Sequence, residues 1–251
     1  MMNGSQRDAK VNVMLSRAPN RTGRQRGLTV ELSLRPQMRS TPHLVFDLDG
    51  TISDPAVGIG RSINYALDHF GYQTLPESEI PKLIGPPLDV SFASITGSTS
   101  TDHIGSLVAK YRERYADVGF AENVLYPGIT AALDALVAAR IPLGLCTSKR
   151  VDFADSILCL FGLRDHFHFL NGGDIGIHKH QQLASLLCNG MISTAATMIG
   201  DRAVDIAAAK ANGLASVGVL WGHGSLAELS AAGAATLLES PVELEWFANM
   251  A

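Results

Sequence analysis

Short apolar runs that end in polar residues recur along the chain from His43 onward. The first, residues 43–49 (HLVFDLD), is rich in strand-forming residues and stops at Gly50. Similar runs occupy 141–147, 167–170, 195–201, 216–220 and 236–238. Helical segments between buried runs favour parallel strands joined by right-handed crossovers. The pattern therefore predicts an α/β fold with a doubly wound parallel sheet, a Rossmann-like core, and a ligand crevice at the carboxyl ends of its strands.

The spacing of the first two apolar runs predicts an inserted domain. Roughly ninety residues separate them, far more than one crossover connection needs. Within this stretch, Ile59, Ile63, Leu67 and Phe70 recur at helical spacing, and a second helical pattern covers residues 104–115. We predict a helical cap over residues 55–124 and a core built from residues 41–54 and 125–251.

The first forty residues have a different composition. Eight Arg or Lys stand against only Asp8 and Glu31, with no sustained apolar period. Residues 1–40 are therefore predicted to form a disordered basic tail. An organelle-targeting peptide and an extension upstream of Met38 are the alternatives that this composition leaves open.

Composition and charge narrow the class of partner. A net charge of −4 and a sequence pI near 6.0 give no reason to expect binding to nucleic acid or to an anionic membrane. The three cysteines form no close pair, which favours a reducing, cytoplasmic location. No apolar stretch reaches the roughly 20 residues that span a bilayer. We expect a monomer or a small homo-oligomer that acts on a small molecule.

Two acidic motifs lie at predicted strand ends. Asp47 and Asp49 belong to the sequence DLDGT, and Asp201 and Asp205 belong to GDRAVD. Carboxylates held this close repel each other unless a cation lies between them, and Mg²⁺ prefers oxygen ligands. A solvated turn for the first motif and a helix cap for the second are the alternatives to a metal site.

Two further motifs are suited to hold a phosphate. Thr147 and Ser148 end the second strand and precede a helix, where hydroxyl and backbone N–H groups can bind a phosphate oxygen. Lys179 follows the weak strand at 167–170 and would neutralise phosphate charge; Lys149 is close to Thr147 in sequence and also within reach. Helix capping and solvent exposure are the alternatives for these residues.

The ordered set of DLDGT, strand-end Thr147, loop Lys179 and GDRAVD resembles the haloacid dehalogenase superfamily from about residue 44 to 238. The resemblance implies that Asp47 is the nucleophile and that Asp49 is the general acid and base. Because dehalogenases lack the second aspartate of the first motif, Asp49 favours phosphoryl transfer through an aspartyl-phosphate.

The same resemblance implies the remaining roles. Thr147, Ser148 and Lys179 would hold the phosphate, with Thr147 and Lys179 counted among the catalytic residues. Mg²⁺ is the implied cofactor, with ligands drawn from the four motif carboxylates Asp47, Asp49, Asp201 and Asp205. The insert would be the helical cap that closes over a small phosphate ester.

Several phrases resemble the phosphoglycolate-phosphatase-like branch, and within it the bacterial group described as 5′-nucleotidases: IGPPL at 84–88, LYPG at 125–128, TSK at 147–149 and VLWG at 219–222. Residues 172–178 depart from that pattern, which weakens the placement of Lys179. A sugar phosphomutase is the alternative enzyme, and a non-enzymatic binding module is disfavoured because every motif residue is present.

The cationic residues of the predicted cap are candidate contacts for the rest of the substrate, although most are expected to be solvated. These are Arg61, Lys82, Lys110, Arg112 and Arg114.

Overall fold

The computed structural model of the protein describes residues 43–250. The predictions for residues 1–40 lie outside these residues. Within them, none of the helices combines the length and apolar character that crossing a bilayer requires.

A six-stranded parallel sheet forms the centre of the described chain. Its strand order is β5-β4-β1-β6-β7-β8, so that β1 pairs with both β4 and β6. The strands are β1 (Leu44–Phe46), β4 (Leu143–Thr147), β5 (Phe167–Gly172), β6 (Thr197–Gly200), β7 (Ala215–Val219) and β8 (Thr236–Leu238). The predicted doubly wound α/β sheet is therefore present.

Helices cover both faces of this sheet. They are α4 (Ile129–Ala138), α5 (Val151–Leu160), α6 (Lys179–Cys188), α7 (Ala203–Ala211), α8 (Leu226–Ala232) and α9 (Glu245–Met250), with short 3-10 helices at Arg164–His166 and Pro241–Leu244. Phe46 packs with α4 and α5 on one face, whereas Val45 packs with α6 and α7 on the other. Because adjacent strand residues point to opposite faces, β1 is apolar on both sides and the layers enclose it.

A helical insert, defined here as residues 56–122, follows β1. It contains α1 (Ala56–His69), a 3-10 helix (Glu77–Leu83), α2 (Leu88–Thr96), α3 (Thr101–Asp117) and a 3-10 helix (Gly119–Glu122). A two-stranded antiparallel pair, β2 (Ser53–Asp54) and β3 (Val124–Leu125), joins its two ends to the core. The insert has an apolar core that includes Ile63, Leu107 and Tyr111, and Phe153 of α5 is the member that the rest of the chain contributes to it.

Candidate active site

The turn after β1 places the first acidic motif. Strand pairing ends at Phe46, and the N–H groups of Ile52 and Ser53 donate to the carbonyl oxygen of Leu48. Gly50 has a φ of +82°, and a Cβ there would lie 2.1 Å from Asp201 Oδ2. Only glycine suits both the left-handed conformation and this close approach. The turn thus brings Gly50 against Asp201, and the Asp47 N–H donates to the carbonyl oxygen of Ile199 in β6 at 2.9 Å.

Three buried carboxylates meet at this edge of the sheet. Each of Asp47, Asp201 and Asp205 offers an oxygen that lies within 4.8 Å of the others. Asp201 Oδ2 accepts from the His223 N–H at 2.8 Å, and Asp201 Oδ1 accepts from the Thr51 hydroxyl at 3.2 Å. Asp205 Oδ2 also accepts from the Arg202 N–H, so the helix cap considered from sequence coexists with the cluster. These contacts hold the carboxylates together despite their like charge.

Lys179 is fully buried beside these carboxylates. Its Nζ lies 2.9 Å from Asp47 Oδ2 and forms a second ion pair with Asp205. Burial opposes the charged form of Lys179, but Asp205 and Asp47 outweigh it, so the pKa of Lys179 lies above its usual range. The unusual residues 172–178 therefore do not prevent Lys179 from reaching the cluster. A permanent ammonium stands next to the predicted nucleophile.

Asp201 and Asp205 have raised pKa values. Burial, with Asp205 and Asp47 nearby, raises the pKa of Asp201 to about 8. Burial also raises the pKa of Asp205 to about 6, although Lys179 opposes this shift. The electrostatics of the cluster thus favour either bound protons or a cation.

Asp49 does not join the three-carboxylate group, which differs from the expectation that all four motif carboxylates lie together as metal ligands. Because β1 ends at Phe46, strand alternation no longer applies at position 49. Asp49 Oδ2 instead lies 3.0 Å from Lys149 Nζ. Burial raises the pKa of Asp49, while Lys149 lowers it and Asp47 raises it further. The sequence placed Lys149 near the same edge of the sheet but offered no signal that it would pair with Asp49.

Thr147 and Ser148 lie at the end of β4, as expected. Thr147 is buried, its hydroxyl oxygen accepts from the Lys149 N–H at 3.3 Å, and its carbonyl accepts from Gln182 at 3.0 Å. Ser148 lines the cavity above the carboxylates. The threonine hydroxyl still has its own proton to donate to an anion.

A cavity separates this edge of the sheet from the insert. Its floor includes Asp47, Asp49, Ser148 and Lys149. Its roof is contributed by the insert and by α5 and the loop after β5; among these residues are Leu83, Pro86, Leu88, Tyr111, Phe153 and Ile175. The cavity therefore has a charged floor, and its roof combines apolar and aromatic side chains with the charged residues Asp89, Arg112, Arg150 and Asp174.

The cationic residues of the insert divide into two groups. Arg61 and Arg114 pair with Glu122, Lys82 pairs with Glu79, and Lys110 pairs with Glu113. Of the five candidates, only Arg112 lines the cavity, where it forms an ion pair of 2.5 Å with Asp174 of the loop after β5. Arg61 and Lys82 are exposed, as expected. The side chains of Lys110, Arg112 and Arg114 are largely buried, so the expectation that most of the five are solvated is wrong.

Two neighbours of the site were not singled out from the sequence. His223 anchors Asp201 through its backbone N–H, and Tyr115 contacts Lys149 from α3. The Trp221-Gly222 phrase marked the loop that carries His223, so a signal existed there. Tyr115 showed only helical periodicity, which is typical of any core position.

Comparisons with known proteins agree with this geometry. The family model described as Haloacid dehalogenase-like hydrolase matches residues 44–219. A 5′-nucleotidase of Pseudomonas aeruginosa is 37% identical over 194 residues, 76% of this chain and 87% of that protein. A phosphoglycolate phosphatase of Yersinia pseudotuberculosis is 33% identical over 189 residues, 72% of this chain and 81% of that protein.

A solved structure shows the same architecture. The crystal structure of a predicted phosphatase from Clostridium acetobutylicum matches with a TM-score of 0.79 and 33% identity, covering 84% of this chain and 99% of that one. The α/β sheet, with acidic side chains at the carboxyl ends of its strands, thus defines the class of protein, a hydrolase with a Rossmann-like fold. The chain belongs to the haloacid dehalogenase-like hydrolases. The predictions that the chain belongs to this family, has a doubly wound α/β fold and is a phosphatase are confirmed.

Proposed function

We propose that the protein is a magnesium-dependent phosphomonoesterase in which Asp47 is the nucleophile. The observation that carries this proposal is the placement of Asp47 on the cavity floor. There its Oδ1 accepts from the Leu48 N–H at 2.8 Å and its Oδ2 faces Lys179 at 2.9 Å. A carboxylate fixed in this way has little freedom to lose when it attacks phosphorus.

The donor set suits a hard divalent cation. Asp47, Asp201 and Asp205 offer only oxygen ligands, and their oxygens lie within 4.8 Å of one another. When ionised, these three residues and Asp49 carry four negative charges, and Lys149 and Lys179 balance two of them. One Mg²⁺ would match that excess and suits carboxylate oxygens. The direct metal ligands proposed here are therefore Asp47, Asp201 and Asp205, without the side chain of Asp49.

The chain's own residues divide the reaction between them. Asp47 attacks the phosphorus while Lys179 offsets negative charge on the transferring group, and Thr147 and Ser148 donate to its oxygens. Asp49 protonates the departing alkoxide and then takes a proton from the water that hydrolyses the aspartyl-phosphate. Bound Mg²⁺ would supply charge neutralisation for the phosphoryl group.

The substrate proposed is a 5′-nucleotide or another small phosphate ester such as phosphoglycolate. The names of the two curated relatives support these two classes. The apolar and aromatic side chains of the cavity roof, which include Tyr111 and Phe153, are compatible with an organic leaving group. We also propose a cytoplasmic location for the protein, as its cysteine usage predicts.

The test is a phosphate-release screen in the presence of Mg²⁺ with nucleoside monophosphates, phosphoglycolate and sugar phosphates. Wild-type protein should release phosphate from at least one of them. Asp47→Asn should abolish turnover with little loss of stability, because the amide is nearly isosteric but is not an anionic nucleophile. Turnover near the wild-type rate in this variant would remove Asp47 from the role, as would a trapped phosphate found by mass spectrometry on another residue.

A further inference from the structure

The two oxygens of the Asp49 carboxyl have different surroundings. Oδ2 lies 3.0 Å from the Lys149 ammonium. Oδ1 is buried and has no hydrogen-bond partner in residues 43–250. A lysine ammonium is a donor only, with no lone pair to accept a proton from a carboxyl group. Oδ2 must therefore act as an acceptor, and a proton carried by Asp49 must be on Oδ1.

Lys149 is itself held from the insert. Its Nζ donates to the Tyr115 hydroxyl oxygen at 2.7 Å and lies 4.4 Å from the centre of the Tyr115 ring. The side chain is only 6% exposed, so the ammonium has little room to move. Lys149 is thus fixed between the core carboxyl group and a residue of α3.

The tether continues to the base of the insert. Asn123 Nδ2 donates to the same Tyr115 oxygen at 3.2 Å, and Asn123 Oδ1 accepts from the Ser53 hydroxyl at 3.1 Å. Asn123 and Ser53 are both buried beside the β2–β3 pair. The position of Tyr115 is therefore fixed relative to the point where the insert joins the core.

We propose that Lys149 is a positioning residue that orients Asp49 so that Oδ1 exchanges protons with the substrate, and that Tyr115 holds Lys149 in place. This inference rests on the proposed function. When the P–O bond of the ester breaks and the Asp47–phosphorus bond forms, the proton on Asp49 Oδ1 passes to the departing oxygen. In the second step, Oδ1 takes a proton from the attacking water, which restores the starting state.

This arrangement separates the duties of the two lysines. Lys179 touches the nucleophile Asp47 and Asp205, whereas Lys149 touches Asp49 and Tyr115. Loss of Lys179 should therefore harm every substrate alike. Loss of Lys149 should harm most those substrates whose leaving group needs a proton.

The leaving group provides a readout that a purely structural role would not change. An alkyl phosphate departs as a strongly basic alkoxide and needs the acid, whereas p-nitrophenyl phosphate departs as a stabilised phenolate and does not. General acid catalysis is worth about 10²–10⁴-fold. The quantity to measure is kcat/KM, because it reports the first, phosphoryl-accepting step even when hydrolysis of the intermediate limits turnover.

The experiment compares Lys149→Met with a matched control, Lys110→Met. Lys110 also pairs with a carboxylate, Glu113 at 2.8 Å, and also lies over a tyrosine ring, Tyr65 at 4.7 Å, but it does not line the cavity. A milder pair, Tyr115→Phe and Tyr65→Phe, removes a single hydroxyl group and covers the case in which Lys149→Met fails to fold. Substrates are p-nitrophenyl phosphate and the alkyl phosphate hydrolysed fastest in the screen above.

Lys149→Met should lower kcat/KM for the alkyl phosphate by about tenfold to a hundredfold and for p-nitrophenyl phosphate by about threefold or less. Tyr115→Phe should lower the ratio of kcat/KM for the alkyl phosphate to kcat/KM for p-nitrophenyl phosphate by about threefold. Both control variants should leave this ratio unchanged. Equal losses on both substrates would place Lys149 on the phosphate instead and overturn the proposal, as would no loss on either. A wild-type protein that releases no phosphate would refute the proposed function itself, which is a separate result.

Discussion

At the scale of single residues, the buried charges of the site compensate one another. Lys179 is completely buried, and its ammonium group would lack compensation in a medium of low dielectric constant only if both Asp47 and Asp205 lost their charge. Cys146 lies buried in the adjoining strand, and its burial raises the pKa of the thiol to about 12, so this cysteine stays protonated and unreactive. Cys146 therefore adds no charge to the site.

The acidic motifs could be predicted from the sequence because the carboxyl ends of parallel strands meet at one edge. Asp47, Asp201 and Asp205 were expected at this edge, and they do form one cluster. Asp49 departs from it, because the side-chain direction in a turn depends on backbone angles that no spacing rule gives. The pairing of Asp49 with Lys149 also depends on how two separate loops fold over each other.

Gly50 allows a prediction at this scale. Gly50→Ala should destabilise the protein by about 1–3 kcal/mol and displace Asp201, because Ala combines a left-handed backbone with a Cβ only 2.1 Å from Asp201 Oδ2. Activity should fall at least tenfold. The control is Gly71→Ala, where φ is +75° but no atom lies within 4 Å of the added Cβ. Urea unfolding and steady-state kinetics of both variants measure these effects. Equal effects of Gly50→Ala and Gly71→Ala would show that the contact with Asp201 is not their cause.

At the scale of elements, the sequence predicted best where periodicity was strong. The strands lie close to their predicted positions because each is a short apolar run that ends in polar residues, and α1 does because its apolar residues recur at helical spacing. The helix α2 and the β2–β3 pair were not predicted. In α2 only Ser91 and Phe92 are buried, so the helix has too few core positions for a readable period, and the β2–β3 strands have two residues each.

Glu122 joins two elements of the insert. Its carboxylate accepts from Arg61 of α1 at 2.7 Å and from Arg114 of α3 at 3.0 Å. The hydrogen bond from Arg114, with a smaller contribution from Arg61, lowers the pKa of Glu122 below its ordinary value of 4.5, although burial opposes the shift. A lowered pKa in the folded state means that the unfolded state binds more protons near that pH. The stabilisation is therefore present above pH 4.5 and lost as the pH falls through the lowered value.

Glu122→Gln should thus cost about 1 kcal/mol of unfolding free energy near pH 7 and less at pH 3. Urea unfolding at both pH values measures this difference. The matched control is Glu113→Gln on the outer surface of the insert, which should have a smaller effect at pH 7. A cost for Glu122→Gln that does not change with pH would show that its charge is not what joins α1 and α3.

At the scale of the whole molecule, metal binding should couple to stability. Because a ligand that binds only the folded state stabilises it by RT ln(1 + [L]/Kd), Mg²⁺ at a hundred times its Kd should add about 2.7 kcal/mol. Thermal unfolding with Mg²⁺ and with chelator measures this shift. Asp201→Asn should greatly reduce it, whereas Asp102→Asn, on the first turn of α3, should not. Activity should also disappear with chelator, and full activity in chelator would refute the metal proposal.

The central place of β1 in the sheet means that this strand leaves the ribosome before either of its neighbours. β4 begins at Leu143 and β6 at Thr197, so the partners follow roughly 100 and 150 residues later, or about 5–30 s at ordinary rates of translation. The helical insert, which has an apolar core, is synthesised completely within that interval. The nascent chain therefore exposes an unpaired, fully apolar strand beside an insert that can already collapse. We expect chaperones to bind the growing chain at residues 44–48 until residue 200 has emerged.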